Sequence, residues 1–222
     1  MTELPTSTDR HQEPYGMFAI SEIDRDISSY SEVLRDSEGN PLIGTASILL
    51  RKSGRLRFLD AGCGTGRAIF SLREELTLAT GLPKETIDVT GINDVDYRSK
   101  SRMVEVQRAA LSGSLGYLVA DLDDVELPSD YFDLITSVEV LIHNDNDKAL
   151  RIINKLLWAL TPGGKMYFTL RENQRQAMSP RIEDLNWSGF TVFERRVHDQ
   201  WTGNNSRIVT IVEKDKVRQQ DQ

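Results

Sequence analysis

Phe58-Leu59-Asp60-Ala61-Gly62-Cys63-Gly64-Thr65-Gly66 sets an acid and three alternate glycines at the point where a strand turns into a helix. Leu56, Phe58 and Leu59 read as a buried strand leading into it. Beyond it, Ala68, Ile69, Leu72 and Leu76 recur at helical spacing over Arg67 to Leu78. Glycine suits such a turn because a side chain would hold the backbone away from a ligand and because tight turns often take positive φ. A dinucleotide site would need G-x-G-x-x-G with the pyrophosphate on the helix N-terminus. Here the glycines run G-x-G-x-G, and Arg67 stands where the third dinucleotide glycine would fall. Asp60, just before the turn, opposes a pyrophosphate and suits a ligand that carries an ammonium group.

Three further segments fall in register with that turn. Tyr117-Leu-Val-Ala120 is followed by Asp121-Leu122, then by Leu127-Pro128 and Phe132-Asp133-Leu-Ile-Thr-Ser137. Downstream, Leu156 to Leu160 leads into Thr161-Pro162-Gly163-Gly164 and the run Lys165 to Phe168. There Pro162 cannot continue a helix, and Gly163 is expected to provide its left-handed cap. Together with D-A-G-C-G-T-G, these segments resemble the class I S-adenosylmethionine-dependent methyltransferases in both order and spacing.

The alternation after residue 55 predicts strands near Leu56–Asp60, Ile87–Ile92, Tyr117–Ala120, Phe132–Ser137, Lys165–Leu170, Gly189–Arg195 and Ser206–Glu213. Helices are expected over Arg67–Thr80, Arg98–Ser112, Asp147–Leu160 and around Arg181–Trp187. The expected fold is therefore α/β, a Rossmann-like seven-stranded doubly wound sheet with helices on both faces. The resemblance implies an antiparallel last strand, with the final pair forming a hairpin at the sheet edge. Ahead of the sheet, Ser21–Asp36 reads as an amphipathic helix and Leu42–Leu50 as a second helix. Residues 15–54 are thus expected to form a helical cap over the site, and 55–213 the cofactor-binding domain. The tails, 1–14 and 214–222, are expected to be disordered.

The resemblance also implies a placement for the cofactor, S-adenosylmethionine. The backbone of Gly62, Gly64 and Gly66 would pass under its methionine part and Asp60 would orient its amino group. Cys63 would fill a small space beneath it. Asp121 would accept from the adenine amino group, the Leu122 backbone would meet the ring, and Ser137 and Val138 would approach the methyl group. The family usually has an acid for the ribose hydroxyls after the second strand, but Val89-Thr90-Gly91-Ile92-Asn93-Asp94 puts Asn93 at that place. An uncharged amide is a weaker partner than a carboxylate, and Asp94 substitutes for it if the strand ends one residue later.

His143, just beyond the fourth strand, is the candidate general base, because its ordinary pKa lies near neutrality; a histidine that merely braces the site is the alternative. Glu139 and His143 stand at i and i+4, on one face if that segment is helical. They resemble part of an E-x-x-E-H metal pattern, but Ile142 replaces its second acid, and two ligands are too few for a dedicated site. No metal is expected. Tyr15 and Tyr30 are candidates to face the ligand or simply to be core.

Composition bounds the rest. The chain has 222 residues, enough for one sizeable α/β core, with 39% hydrophobic residues broken throughout by charges. No apolar stretch approaches the ~20 residues of a membrane span and no signal peptide is visible, so a soluble, cytoplasmic protein is expected. The single cysteine agrees with a reducing compartment. A net charge of −7 disfavours nucleic acid as partner and favours a small or neutral acceptor, although Arg98 to Arg108 is locally basic.

The leading reading is an enzyme that methylates oxygen or nitrogen of a small molecule. A non-catalytic subunit of the same fold is the alternative that Asn93 keeps open, and protein or RNA acceptors are a further one. No N-P-P-Y signature follows the fourth strand, where Ser137-Val-Glu-Val140 stands instead. Arg67 disfavours an NAD-dependent oxidoreductase.

Overall fold

The computed structural model describes residues 23–183, 189–197 and 206–216. Its seven strands are β1 (Leu56–Ala61), β2 (Ile87–Asn93), β3 (Gly116–Val119), β4 (Phe132–Ser137), β5 (Leu160–Arg171), β6 (Phe190–Val197) and β7 (Arg207–Lys214). They form one sheet in the order β3-β2-β1-β4-β5-β7-β6. The pairs from β3 to β5 are parallel, while β7 runs antiparallel to both β5 and β6. This is the seven-stranded Rossmann-like sheet expected, with the final hairpin at its edge.

Alternation along β1 divides the core into two layers. Leu56 and Phe58 pack with Ile27, Leu42, Leu50, Ile69 and Leu72, which come from α1 (Ile27–Val33), α2 (Leu42–Ser53) and α3 (Arg67–Thr80). Leu59 and Ala61 face the other way, onto Ala149, Ile153, Leu156 and Leu157 of α5 (Asn146–Ala159). Helices therefore cover both faces, as the buried parallel strands require. Among the described residues no helix is long and apolar enough to cross a membrane.

Several local expectations need correction. The helix expected over Arg98–Ser112 is a 3-10 turn, Arg98–Lys100, followed by α4 (Val104–Leu111). The break falls where Ser101 Oγ accepts from the Met103 N–H at 3.1 Å and Asp24 accepts from the Arg102 N–H at 2.9 Å. Over Ser21–Asp36 the helix is limited, among the described residues from Asp24 onward, to α1, because Asp26 accepts from the Ser29 N–H at 2.9 Å and starts it there. Gly163 has the left-handed φ of +80° but does not cap α5. That helix closes on Leu160 in extended conformation, and Gly163 lies inside β5, beside the register shift between Phe132 and Leu134. Lys214 closes β7 rather than opening a tail.

Near Arg181, the structure forms two short helices, α6 (Glu172–Ala177) and α7 (Ser179–Glu183). His11, Tyr15, Trp187 and His198 lie outside the described residues.

Candidate active site

The chain runs from β1 outward through β2 to β3 and then crosses to β4 and β5 on the other side of β1. Open α/β sheets hold ligands at such a switch, beyond the carboxyl ends of the strands. Register puts Asp60 there, directly between Gly91 of β2 and Thr136 of β4.

Asp60 is wholly buried. Thr136 Oγ1 donates to its Oδ1 at 2.7 Å and Tyr30 Oη donates to its Oδ2 at 3.2 Å. Burial raises its pKa to about 6, and the two hydroxyls and the charge of Arg25 only partly offset that. Tyr30, a core residue of α1, therefore also faces the site. Burial, reinforced by Asp60, raises its phenol pKa well above the ordinary value.

Each glycine of the turn answers a close neighbour. Gly62, at φ +95°, has Val140 Cγ2 1.9 Å from where a Cβ would stand. Gly64, at φ +55°, has the Ile23 carbonyl oxygen at 2.2 Å, and Gly66, at φ +88°, is the left-handed N-cap of α3. Cys63 packs against β2, where a Cβ on Gly91 would meet its Sγ at 2.5 Å. Burial and the nearby Asp60 raise the thiol pKa, which leaves Cys63 a packing residue. Gly91 was missed as part of this fit, although it follows Val89-Thr90 in the sequence quoted above.

At the tip of β2, Asn93 is buried and its Nδ2 donates to the Val95 carbonyl at 2.8 Å. That orientation leaves Oδ1 as its accepting atom. The strand ends at Asn93, so Asp94 lies one residue past it and half-buried. Tyr117 of β3 ties this corner to the glycine turn, with Oη donating to the Gly64 carbonyl at 2.7 Å and accepting from the Tyr97 N–H at 3.1 Å. Beyond β3, Asp121 accepts from Lys148 Nζ at 2.7 Å and from the Asp123 N–H at 2.8 Å. Burial alone would raise its pKa, but these bonds outweigh it and hold the carboxyl below the usual range. The Leu122 side chain is packed in the α5 layer.

Ser137 ends β4 and Val138 follows it, both buried. Among the described residues Ser137 Oγ has no hydrogen-bond partner, an uncommon state for a buried hydroxyl. Next, Glu139 takes the left-handed φ of +59°, and its N–H donates to Thr169 Oγ1 at 2.7 Å. Only the 3-10 turn Leu141–His143 follows. Glu139 and His143 therefore do not share a helix face, because the bend at Glu139 ends the strand without starting an α-helix. Arg207 instead grips both Glu139 oxygens, at 3.0 to 3.1 Å.

His143 is exposed. Desolvation lowers its pKa first and the charge of Arg171 second; Arg207 adds to this while Glu139 and Asp94 oppose it. Arg171 and Arg207, directly opposed on β5 and β7, were not singled out from the sequence. Nothing in their local pattern signals them, since only strand pairing brings them together. Among the described residues no group of three or more His, Cys, Asp or Glu could hold a metal ion.

Among the described residues, an acid that is buried with no cation bonded to it and a buried serine hydroxyl with no partner both fit a polar, cationic ligand across the tips of β1 and β4. Residues 59–168 match the family described as "Methyltransferase domain". No curated protein matches the sequence. Among solved structures, magnesium protoporphyrin IX methyltransferase from Synechocystis PCC 6803, crystallised with S-adenosylmethionine, is 19% identical with a TM-score of 0.51; the match covers 93% of this chain and 91% of that one. An rRNA methylase from Streptococcus thermophilus gives 18% and 0.52, over 78% of this chain and 96% of its own. A TehB-like methyltransferase from Corynebacterium glutamicum gives 19% and 0.51, over 81% and 91%. At these identities the structures show the fold alone, and the family match is what carries the cofactor. The chain belongs to the class I S-adenosylmethionine-dependent methyltransferases, enzymes that use S-adenosylmethionine as cofactor.

Proposed function

We propose that the protein methylates oxygen or nitrogen of a small-molecule acceptor held beyond the carboxyl ends of β4 and β5. The observation that carries this reading is Asp60, buried at the sheet's switch point between Thr136 and Tyr30. When bound, S-adenosylmethionine supplies an electrophilic methyl group on a sulfonium. The protein's part is to align two reactants and exclude water.

In this reading Asp60 holds the ammonium of the cofactor's amino-acid end, above the turn of Gly62, Cys63, Gly64 and Gly66. Asn93 Oδ1 and Asp94 take the ribose hydroxyls. Asp121, although bonded to Lys148, keeps lone pairs for the adenine amino group, since a carboxylate offers about four acceptor sites. The Leu122 backbone meets the ring, and Ser137 and Val138 line the methyl end. Residues 15–54 act as the cap, which Tyr30 supports by reaching Asp60 from α1. His143 is the general base where the acceptor must lose a proton. Its lowered pKa favours the neutral imidazole that role requires, and Glu139 acts on it through charge.

A small acceptor is supported by the net charge of −7. The test is to incubate the purified protein with methyl-labelled S-adenosylmethionine and, separately, deproteinised metabolites, total RNA and total protein. Label is expected in a product of the metabolite fraction. Label in RNA or protein alone would overturn the small-molecule reading.

A further inference from the structure

Two like charges meet at the carboxyl end of β5. Tyr167 of β5 and Val209 and Ile211 of β7 pack in the layer of α1 and α2. By alternation Thr169, Arg171 and Arg207 stand on that same face. It is the face on which Thr136, in register with Tyr167, holds Asp60. Arg207 opposes Arg171 directly. Bonds on either side of Arg171 fasten this end to the loop that carries His143. Thr169 Oγ1 accepts from the Glu139 N–H at 2.7 Å. Gln174 of α6 donates through Nε2 to the Leu141 carbonyl at 3.0 Å and the Asn144 carbonyl at 3.2 Å. The charge of Arg171 accordingly acts on His143.

Like charges directly opposed across a strand pair destabilise it. Glu139 offsets one of the two, since both its oxygens accept from Arg207 at 3.0 to 3.1 Å. The neighbouring acids are also taken, Glu172 by Arg196 and Glu194 by Arg175. Among the described residues no carboxylate pairs with Arg171, which stands exposed. The fold alone gains nothing from a cation at this position. An anionic ligand does, because a guanidinium offers its donors in a planar fork that fits an oxyanion.

We propose that Arg171 binds an oxyanion of the acceptor, a carboxylate or a phosphate other than the atom methylated, and so restricts the enzyme to anionic small molecules. The proposal rests on the acceptor site proposed above, beyond β4 and β5. It gives the Glu139–Arg207 pair a positioning role, since that pair removes the repulsion Arg171 would otherwise meet across the strands.

The test splits a deproteinised metabolite extract on a strong anion exchanger at neutral pH. The retained and unretained fractions are incubated with methyl-labelled S-adenosylmethionine and the wild type, Arg171→Gln or Arg171→Lys, at about pH 8.5, where the imidazole of His143 is neutral in every variant. Label is expected in the retained fraction. Over a dilution series of that fraction, Arg171→Gln should raise the half-saturating amount roughly 10- to 100-fold and keep the plateau rate. Arg171→Lys should recover part of the loss, since a lysine keeps the charge but not the fork. Both variants should bind S-adenosylhomocysteine in calorimetry and melt as the wild type does. Phosphatase treatment of the retained fraction that abolishes labelling identifies a phosphate, and treatment that spares it a carboxylate; either supports the proposal. Label confined to the unretained fraction would overturn it while leaving the small-molecule reading in place. An unchanged half-saturating amount in Arg171→Gln would overturn it too, as would a loss seen only in the plateau rate. No label in either fraction would overturn the small-molecule reading, and this inference with it.

Discussion

Asp60, at the tip of β1, is wholly buried between two hydroxyl donors, whereas Arg171, at the tip of β5 two strands away, stands exposed and meets another arginine across the strand pair. One end of the site is built from close backbone contacts and buried hydrogen bonds, and the other from charges at the surface. A buried polar group must be satisfied in place, so the β1 end tolerates little variation. Exposed charges are worth less and are screened, so the β5 end can change its residues at small cost to the fold.

The largest expected effect breaks the buried end. Gly62→Ala combines a left-handed φ with a Cβ 1.9 Å from Val140 Cγ2, whereas Gly81→Ala carries a similar φ of +68° with nothing within 4 Å. The first should cost roughly 3–5 kcal/mol of stability and the second about 1–2 kcal/mol. Val140→Ala should erase most of the difference, leaving only the conformational penalty. Denaturant unfolding of the single variants and of Gly62→Ala with Val140→Ala checks this, and a Gly62→Ala penalty that stays well above that of Gly81→Ala once Val140 is alanine would sink the steric account.

The next effect sharpens the comparison through pH. Asp60 has a folded pKa of about 6, above the ~3.9 of an unfolded aspartate. Between these values the folded state binds the extra proton. Stability therefore falls as pH rises from about 4 to about 6, by up to ~3 kcal/mol, and is flat on either side. Asp60→Asn should lack that slope. In the proposed seat, cofactor affinity should move the opposite way, falling about tenfold per pH unit below 6, because there the cofactor's ammonium needs the ionised carboxylate. Parallel unfolding and titration series at pH 4.5 to 7.5 read both, and equal slopes in the variant and the wild type would remove Asp60 as their source.

The same contrast explains what could be read from the sequence. The glycine turn, the strands along the chain and the place of Asp60 before the turn were legible because local chain geometry demands particular residues there. The partners of those residues were not, since Tyr30, Thr136 and Val140 reach the turn only through folding. Glu139 shows the limit most plainly. Its spacing to His143 suggested a shared helix face, yet its N–H bond to Thr169 and its φ of +59° end the strand in a bend. The opposed Arg171 and Arg207 depend on β5–β7 register, which no local pattern encodes.

The smallest expected effect belongs to that charged end. Arg171 and Arg207 both lower the His143 pKa and Glu139 raises it, so single substitutions should move the imidazole in opposite directions. Arg171→Gln removes a cation and should raise the pKa. Glu139→Gln removes the anion and leaves Arg207 without its two carboxylate bonds, so it should lower the pKa and also cost some stability, because that pair is largely sheltered from solvent. NMR titration of the His143 ring gives the direction of each shift. The Arg171 effect should shrink in high salt, as an exposed charge's field is screened, while the Glu139 effect should persist. Movement of the acid limb of the pH–rate profile along with the imidazole would tie the charged end to proton removal. An imidazole that both substitutions leave unmoved would show that neither charge acts on it, and would reduce His143 to a residue of the loop.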